Sequence, residues 1–143
     1  MTGIIITGHG TFPLGFLSAC ELIAGDLNQI CGVCFDREPE QLEHALKKAV
    51  EDFAECGKII IFCDIPGGTP FKTAAELAVE NDRIEVIAGV SLPLLLEVVL
   101  VRDYVSDFDS MLSEAIHTAK EQILRLDCKV LTESAQEEPE EGI

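Results

Sequence analysis

Four short stretches of this chain are apolar at nearly every position: residues 3–7, residues 30–35, "KIIIFC" at 58–63 and "IEVIAGV" at 84–90. A strand with one face in water alternates apolar and polar residues, so a strand without that alternation has to be covered on both faces. Segments with a different periodicity separate these runs. "FPLGFLSACELIA" (12–24) is predicted to be a helix with proline in its first turn, where the missing N–H costs nothing. "EPEQLEHALKKAVEDFAE" (38–55) places Leu42, Leu46, Ala49, Val50 and Phe53 at helical spacing and stops at Gly57. "PFKTAAELAVE" (70–80) is a third helix, and "PLLLEVVLV" (93–101) is a short one, apolar nearly all round. "SDFDSMLSEAIHTAKEQILRL" (106–126) reads as a long amphipathic helix, with Ser106 as its cap and an acid three residues on. Strands covered on both faces and alternating with helices define an α/β fold, an open and mainly parallel sheet with helices on both sides. The strand order expected is 2-1-3-4, with a C-terminal edge strand.

A chain of 143 residues is one domain by length. Residues 1–131 are expected to form it. Residues 132–143, "TESAQEEPEEGI", have no apolar periodicity and are expected to be a disordered acidic tail. No internal repeat is present. The 26 acidic residues against 10 basic ones give a net charge of −16, which repels nucleic acid and anionic lipid. The greasiest stretch, 86–101, is interrupted by Pro93 and Glu97 and is too short to span a bilayer, so no direct membrane insertion is expected. Together with the lack of a basic leader, this predicts a cytoplasmic protein whose six cysteines are free thiols.

In open α/β sheets ligands bind outside the carboxyl ends of the strands, where the strand order reverses. Two motifs fall there. "GIIITGHGTF" (3–12) runs the first strand into His9 between Gly8 and Gly10, and "CDIPGGTPF" (63–71) places Asp64 just past the third strand. If strands one and three are neighbours, the two side chains face each other. An aspartate accepting from Nδ1–H of a neutral imidazole leaves Nε2 as an oriented nucleophile and stabilises the positive ring that forms when Nε2 takes an electrophile. Gly67 and Gly68 lead to Thr69 at the start of the third helix, where bare N–H groups suit an anion and the Thr69 hydroxyl can cap the helix or donate to that anion. The combination points to phosphoryl transfer onto His9. The flanking glycines are expected to admit the phosphorylated side chain of a partner protein.

Taken singly, the same residues are ordinary turn and cap chemistry. Two other chemistries share the pattern and fail on residues they need. A dinucleotide fingerprint, with Asp36 as ribose partner, requires glycine where Pro13 stands. A histidine phosphatase needs an arginine beside the histidine and more around the phosphate, whereas Gly8 is the neighbour and the chain has only four arginines. Cys31 and Cys34, three apart on a strand, point to opposite faces and cannot readily share a metal or a bond, so no metal site is expected. Cys20, Cys56, Cys63 and Cys128 read as small apolar residues, and His44 and His117 as solvated. Glu97 is a lone charge in an apolar helix.

Three segments carry a resemblance: "IIITGHGTFPLGF", "FCDIPGGTPFKTAAELA" and "VIAGVSLPLLLEVVLVR". Over about residues 3 to 127 the chain resembles the mannose-class IIA components of the bacterial phosphoenolpyruvate-dependent sugar phosphotransferase system. The resemblance implies that His9 is the phosphoryl acceptor and carrier, that Asp64 orients it, and that Thr69 helps hold the phosphoryl group. It implies HPr as donor, a histidine of a IIB component as acceptor, and a membrane permease acting further along. No metal, nucleotide or other cofactor is expected in the transfer. Helix 93–101 has more apolar surface than one subunit can bury, so a homodimer is expected, and the resemblance adds that a segment near Cys128–Leu131 pairs with the partner subunit's sheet. Ile65 and Pro66 stand where the better-known mannose members carry threonine and tryptophan, a departure that resembles the amino-sugar or other branches. Related phosphotransfer subunits of dihydroxyacetone kinase lack the D-x-x-G-G-[ST]-P-F block. The alternative is a regulatory or anion-sensing module of the same fold without covalent chemistry.

Overall fold

The computed structural model describes residues 1–133. In chain order the elements are β1 (Thr2–His9), α1 (Phe12–Ala24), β2 (Ile30–Phe35), α2 (Pro39–Asp52), β3 (Lys58–Cys63), α3 (Thr69–Glu80), β4 (Ile84–Ala88), α4 (Leu92–Val101), α5 (Phe108–Glu121) and α6 (Cys128–Glu133). The strands form one parallel sheet in the order β2-β1-β3-β4. Winding from β1 outward to β2 and then back across to β3 reverses direction. Because parallel crossovers are right-handed, that reversal moves the helices to the other face.

The side chains of the sheet sort accordingly. Ile4, Ile6, Ile60 and Phe62 face one core with Leu94, Leu95 and Val98 of α4 and Met111, Leu112 and Ala115 of α5. Ile5, Val33, Ile59, Ile61 and Cys63 face the other, with Leu42, Leu46 and Ala49 of α2 and Ala74 of α3. The isoleucines of β1 and β3 are fully buried, which accounts for the unbroken apolar runs. α1 lies so close to β2 that a Cβ on Gly32 would stand 2.9 Å from Leu17 Cδ1 and 3.1 Å from Pro13 Cβ.

Three expectations at the C-terminal end are corrected. The amphipathic helix is capped by Asp107, not Ser106. One Asp107 carboxylate oxygen accepts from the Ser110 N–H and the other from its hydroxyl. It ends at Glu121, five residues short of the predicted end. No C-terminal edge strand forms among the described residues, because 128–133 is the helix α6. Its backbone has local partners in place of a ladder: Asp127 Oδ1 accepts from Lys129 N, Leu131 N donates to Asp127 O, and the Thr132 hydroxyl donates to Cys128 O. Of the expected acidic tail, 134–143 lies outside the described residues. No helix among the described residues is long and apolar enough to cross a membrane.

Candidate active site

The reversal of strand order falls between β1 and β3, and the ladder that joins them pairs Thr7 with Cys63. His9 is the last residue of β1 and Asp64 the first after β3, so two unbroken apolar strands deliver one ionisable side chain each to the same rim. Asp64 Oδ2 lies 2.8 Å from His9 Nδ1 and also accepts the His9 backbone N–H at 2.9 Å. Its other oxygen accepts the Ile65 N–H at 2.9 Å. Burial pushes the Asp64 carboxyl up, but the bonds from His9 and Ile65 and the charge of a protonated His9 outweigh it and hold the group below its ordinary value. An ionised carboxylate only accepts, so the proton of the neutral ring resides on Nδ1 and Nε2 keeps its lone pair. The His9 side chain is 47% exposed and that of Asp64 11%, so the imidazole is open and the carboxylate that holds it covered.

Local geometry accounts for the glycines one by one. A Cβ on Gly8 would stand 2.9 Å from Asp64 Cγ and from Phe12 Cδ1, so Gly8 admits the carboxylate itself. Gly10 has open space around it and is needed for its φ of +60°, which turns the chain from β1 into α1. Gly67, at φ +79°, turns it from β3 toward α3. Gly68 is the N-cap of α3, and a Cβ there would come within 3.1 Å of His9 Cε1. The amino end of α3 therefore sits against the imidazole, with no side chain capping it. Its N–H groups carry the partial positive charge that favours an anion. Thr69 is the first residue of that helix and does not cap it.

Phe35 is a site residue that the motifs do not reveal. In register with His9 across β1 and β2, its ring lies 5.5 Å from the imidazole, centroid to centroid, at an interplanar angle of 79°. Its signal in the sequence is only that it ends the second apolar run as His9 ends the first. Thr11, Phe12, Phe16 and Leu92 line an apolar depression of about 430 Å³ along α1. Cys63 offers no thiolate here: burial, with the charge of Asp64 added, pushes its thiol up to about 12. Cys31 is half-buried and Cys34 exposed on β2. His44 is exposed on α2, and His117 Nε2 lies 3.3 Å from Glu121 on the exposed face of α5.

Residues 3–117 match the family model described as "PTS system fructose IIA component". The chain belongs to this family of IIA components. It is 34% identical over 108 residues, 74% of each chain, to the fructose-specific EIIA component of Bacillus subtilis. It is 28% identical over 135 residues to the mannose-specific EIIAB component of Escherichia coli, covering 92% of this chain and 42% of that longer protein. Among solved structures it is similar to the phosphotransferase system component EIIA from Streptococcus agalactiae. There the TM-score is 0.79 at 36% identity, covering 87% of this chain and 97% of the other. Membership in the IIA family makes the chain a phosphotransfer component in sugar uptake.

Proposed function

We propose that this chain accepts a phosphoryl group from phospho-HPr on His9 and passes it to a histidine of a IIB component, in the cytoplasm. The observation that carries the reading is the single Asp64 oxygen that binds both the backbone N–H and Nδ1 of His9 while Nε2 stays open. Attack by the Nε2 lone pair forms a new N–P bond as the N–P bond of the donor breaks, and the donor imidazole leaves with the electron pair. The His9 ring keeps its Nδ1 proton and becomes formally cationic against the Asp64 carboxylate. That charge is stabilised where it develops, in a site built before the donor arrives. Gly67, Gly68 and Thr69 supply main-chain N–H groups, and Thr69 a hydroxyl, to the transferring oxygens.

A homodimer belongs to the same proposal. Leu22, Leu100, Ile123, Leu124 and Leu126 are exposed large apolar residues on α1, α4 and the segment after α5, surface that a second copy of the chain would cover. Glu97 lies beside them, in a depression lined by Ile23, Leu96, Leu100 and Gln122.

Incubation with phosphoenolpyruvate, the general phosphotransferase proteins and HPr should add one phosphoryl group to the intact mass, labile in acid and stable in base. His9→Gln should take none while still unfolding in one cooperative urea transition. A wild-type chain that gains no mass would instead support a sensing module of the same fold.

A further inference from the structure

We propose that Phe35 is a positioning residue for His9, setting the plane of the imidazole so that Nε2 meets the donor phosphorus in line. The proposal rests on the phosphocarrier reading and adds a residue to it. The Asp64 oxygen fixes one edge of the ring, at Nδ1, and the main chain beside it. A single bond at one ring atom leaves the ring plane loosely defined, because the terminal torsion of histidine has broad wells. Phosphoryl transfer depends on that plane, since the lone pair of Nε2 lies in it and must point at phosphorus.

Two contacts supply the missing constraint. The amino end of α3 closes on Cε1, where Gly68 leaves no room for a side chain. The ring of Phe35 stands nearly perpendicular to the imidazole at 5.5 Å, an edge-to-face geometry that favours one relative orientation over a sliding contact. Phe35 is itself anchored, half-buried against the core that holds Val33, Leu42 and Ile61. Its carbonyl accepts the N–H of Gly10, the residue after His9, at 2.7 Å. That bond belongs to the main chain and survives replacement of the side chain, so a substitution at 35 tests the ring alone.

The experiment is rapid-quench transfer from phospho-HPr to wild type, Phe35→Ala and Phe35→Leu, each checked for folding by circular dichroism. At saturating donor the Phe35→Ala rate is expected to fall about tenfold, with the half-saturating HPr concentration little changed. Leucine, which fills the space without a ring face, should fall in between and carries the comparison if the alanine chain does not fold. Carbon-13 relaxation of the His9 ring should show larger amplitude of motion in Phe35→Ala, while the Nδ1–H tautomer persists because Asp64 still holds it. A wild type that takes no phosphoryl group overturns the phosphocarrier reading and this role with it. A wild type that takes one while both variants match its saturated rate overturns the role of Phe35 alone. A loss confined to half-saturation, or an unchanged His9 ring order, assigns Phe35 to docking and also overturns it.

Discussion

At the scale of single residues, Asp64 accepts three hydrogen bonds, two on one oxygen and one on the other, and every donor is within its own rim of the sheet. Its carboxyl is held below its ordinary value in the folded chain. A group lowered in this way contributes stability that is complete above its unfolded value, about pH 4, and is lost as pH falls through the folded value. Asp64→Asn is therefore expected to unfold earlier in urea than wild type at pH 7, with the gap narrowing steadily as the pH is taken below about 4. The amide can offer Nδ1 a donor in place of an acceptor and carries no charge to match the phosphorylated ring. Transfer from HPr should fall by roughly a hundredfold or more in the same variant, read by rapid quench. A gap that widens toward low pH would contradict the assignment.

At the scale of elements, Arg102 does for the opposite rim what Asp64 does for this one. It is the C-cap of α4 and is 8% exposed. Nη1 donates to the carbonyls of Thr2 at 3.0 Å and Gln29 at 3.2 Å, and Nη2 donates to that of Asn28. One side chain thus ties the end of α4 to the start of β1 and the entry to β2, and burial draws its pKa down without discharging it. Arg102→Ala should lower unfolding stability by roughly 3 kcal/mol, because the buried acceptors lose their donors, and Arg102→Lys should not restore it, lacking the fork. Urea unfolding at pH 7 checks both. Nothing local in "VLVRDY" marks this arginine, since its partners lie 73 to 100 residues away. The strands and first helices were legible because burial on both faces writes itself into every residue of Ile4–Ile6 and Ile59–Phe62. His9 and Asp64 were legible because each ends such a run. Phe35 was not, because its ring contact exists only through the register of β2 on β1. The end of α5 also escaped: no glycine or proline marks Glu121, and the helical spacing continues through Ile123, Leu124 and Leu126, which find no core to enter.

At the scale of the whole molecule, those same side chains are the surface on which the proposed homodimer is tested. Sedimentation at micromolar concentration should give twice the 15.5 kDa chain mass, and Leu124→Asp should shift the mass toward one chain. A single-chain mass for wild type would rule the dimer out. The ladder between β1 and β3 has a consequence for assembly as well. Thr7 sits opposite Cys63, so the register carried one step further sets Gly8 beside Asp64 and leaves His9 one residue past it, within 2.8 Å of the carboxylate. A slip of one residue would carry Asp64 about 3.3 Å along the strand and turn it to the other face. Misassembled sheets would thus be chemically silent. In a refolding mixture, the fraction of chains able to take a phosphoryl group is a census of correctly threaded molecules, counted by the reaction itself.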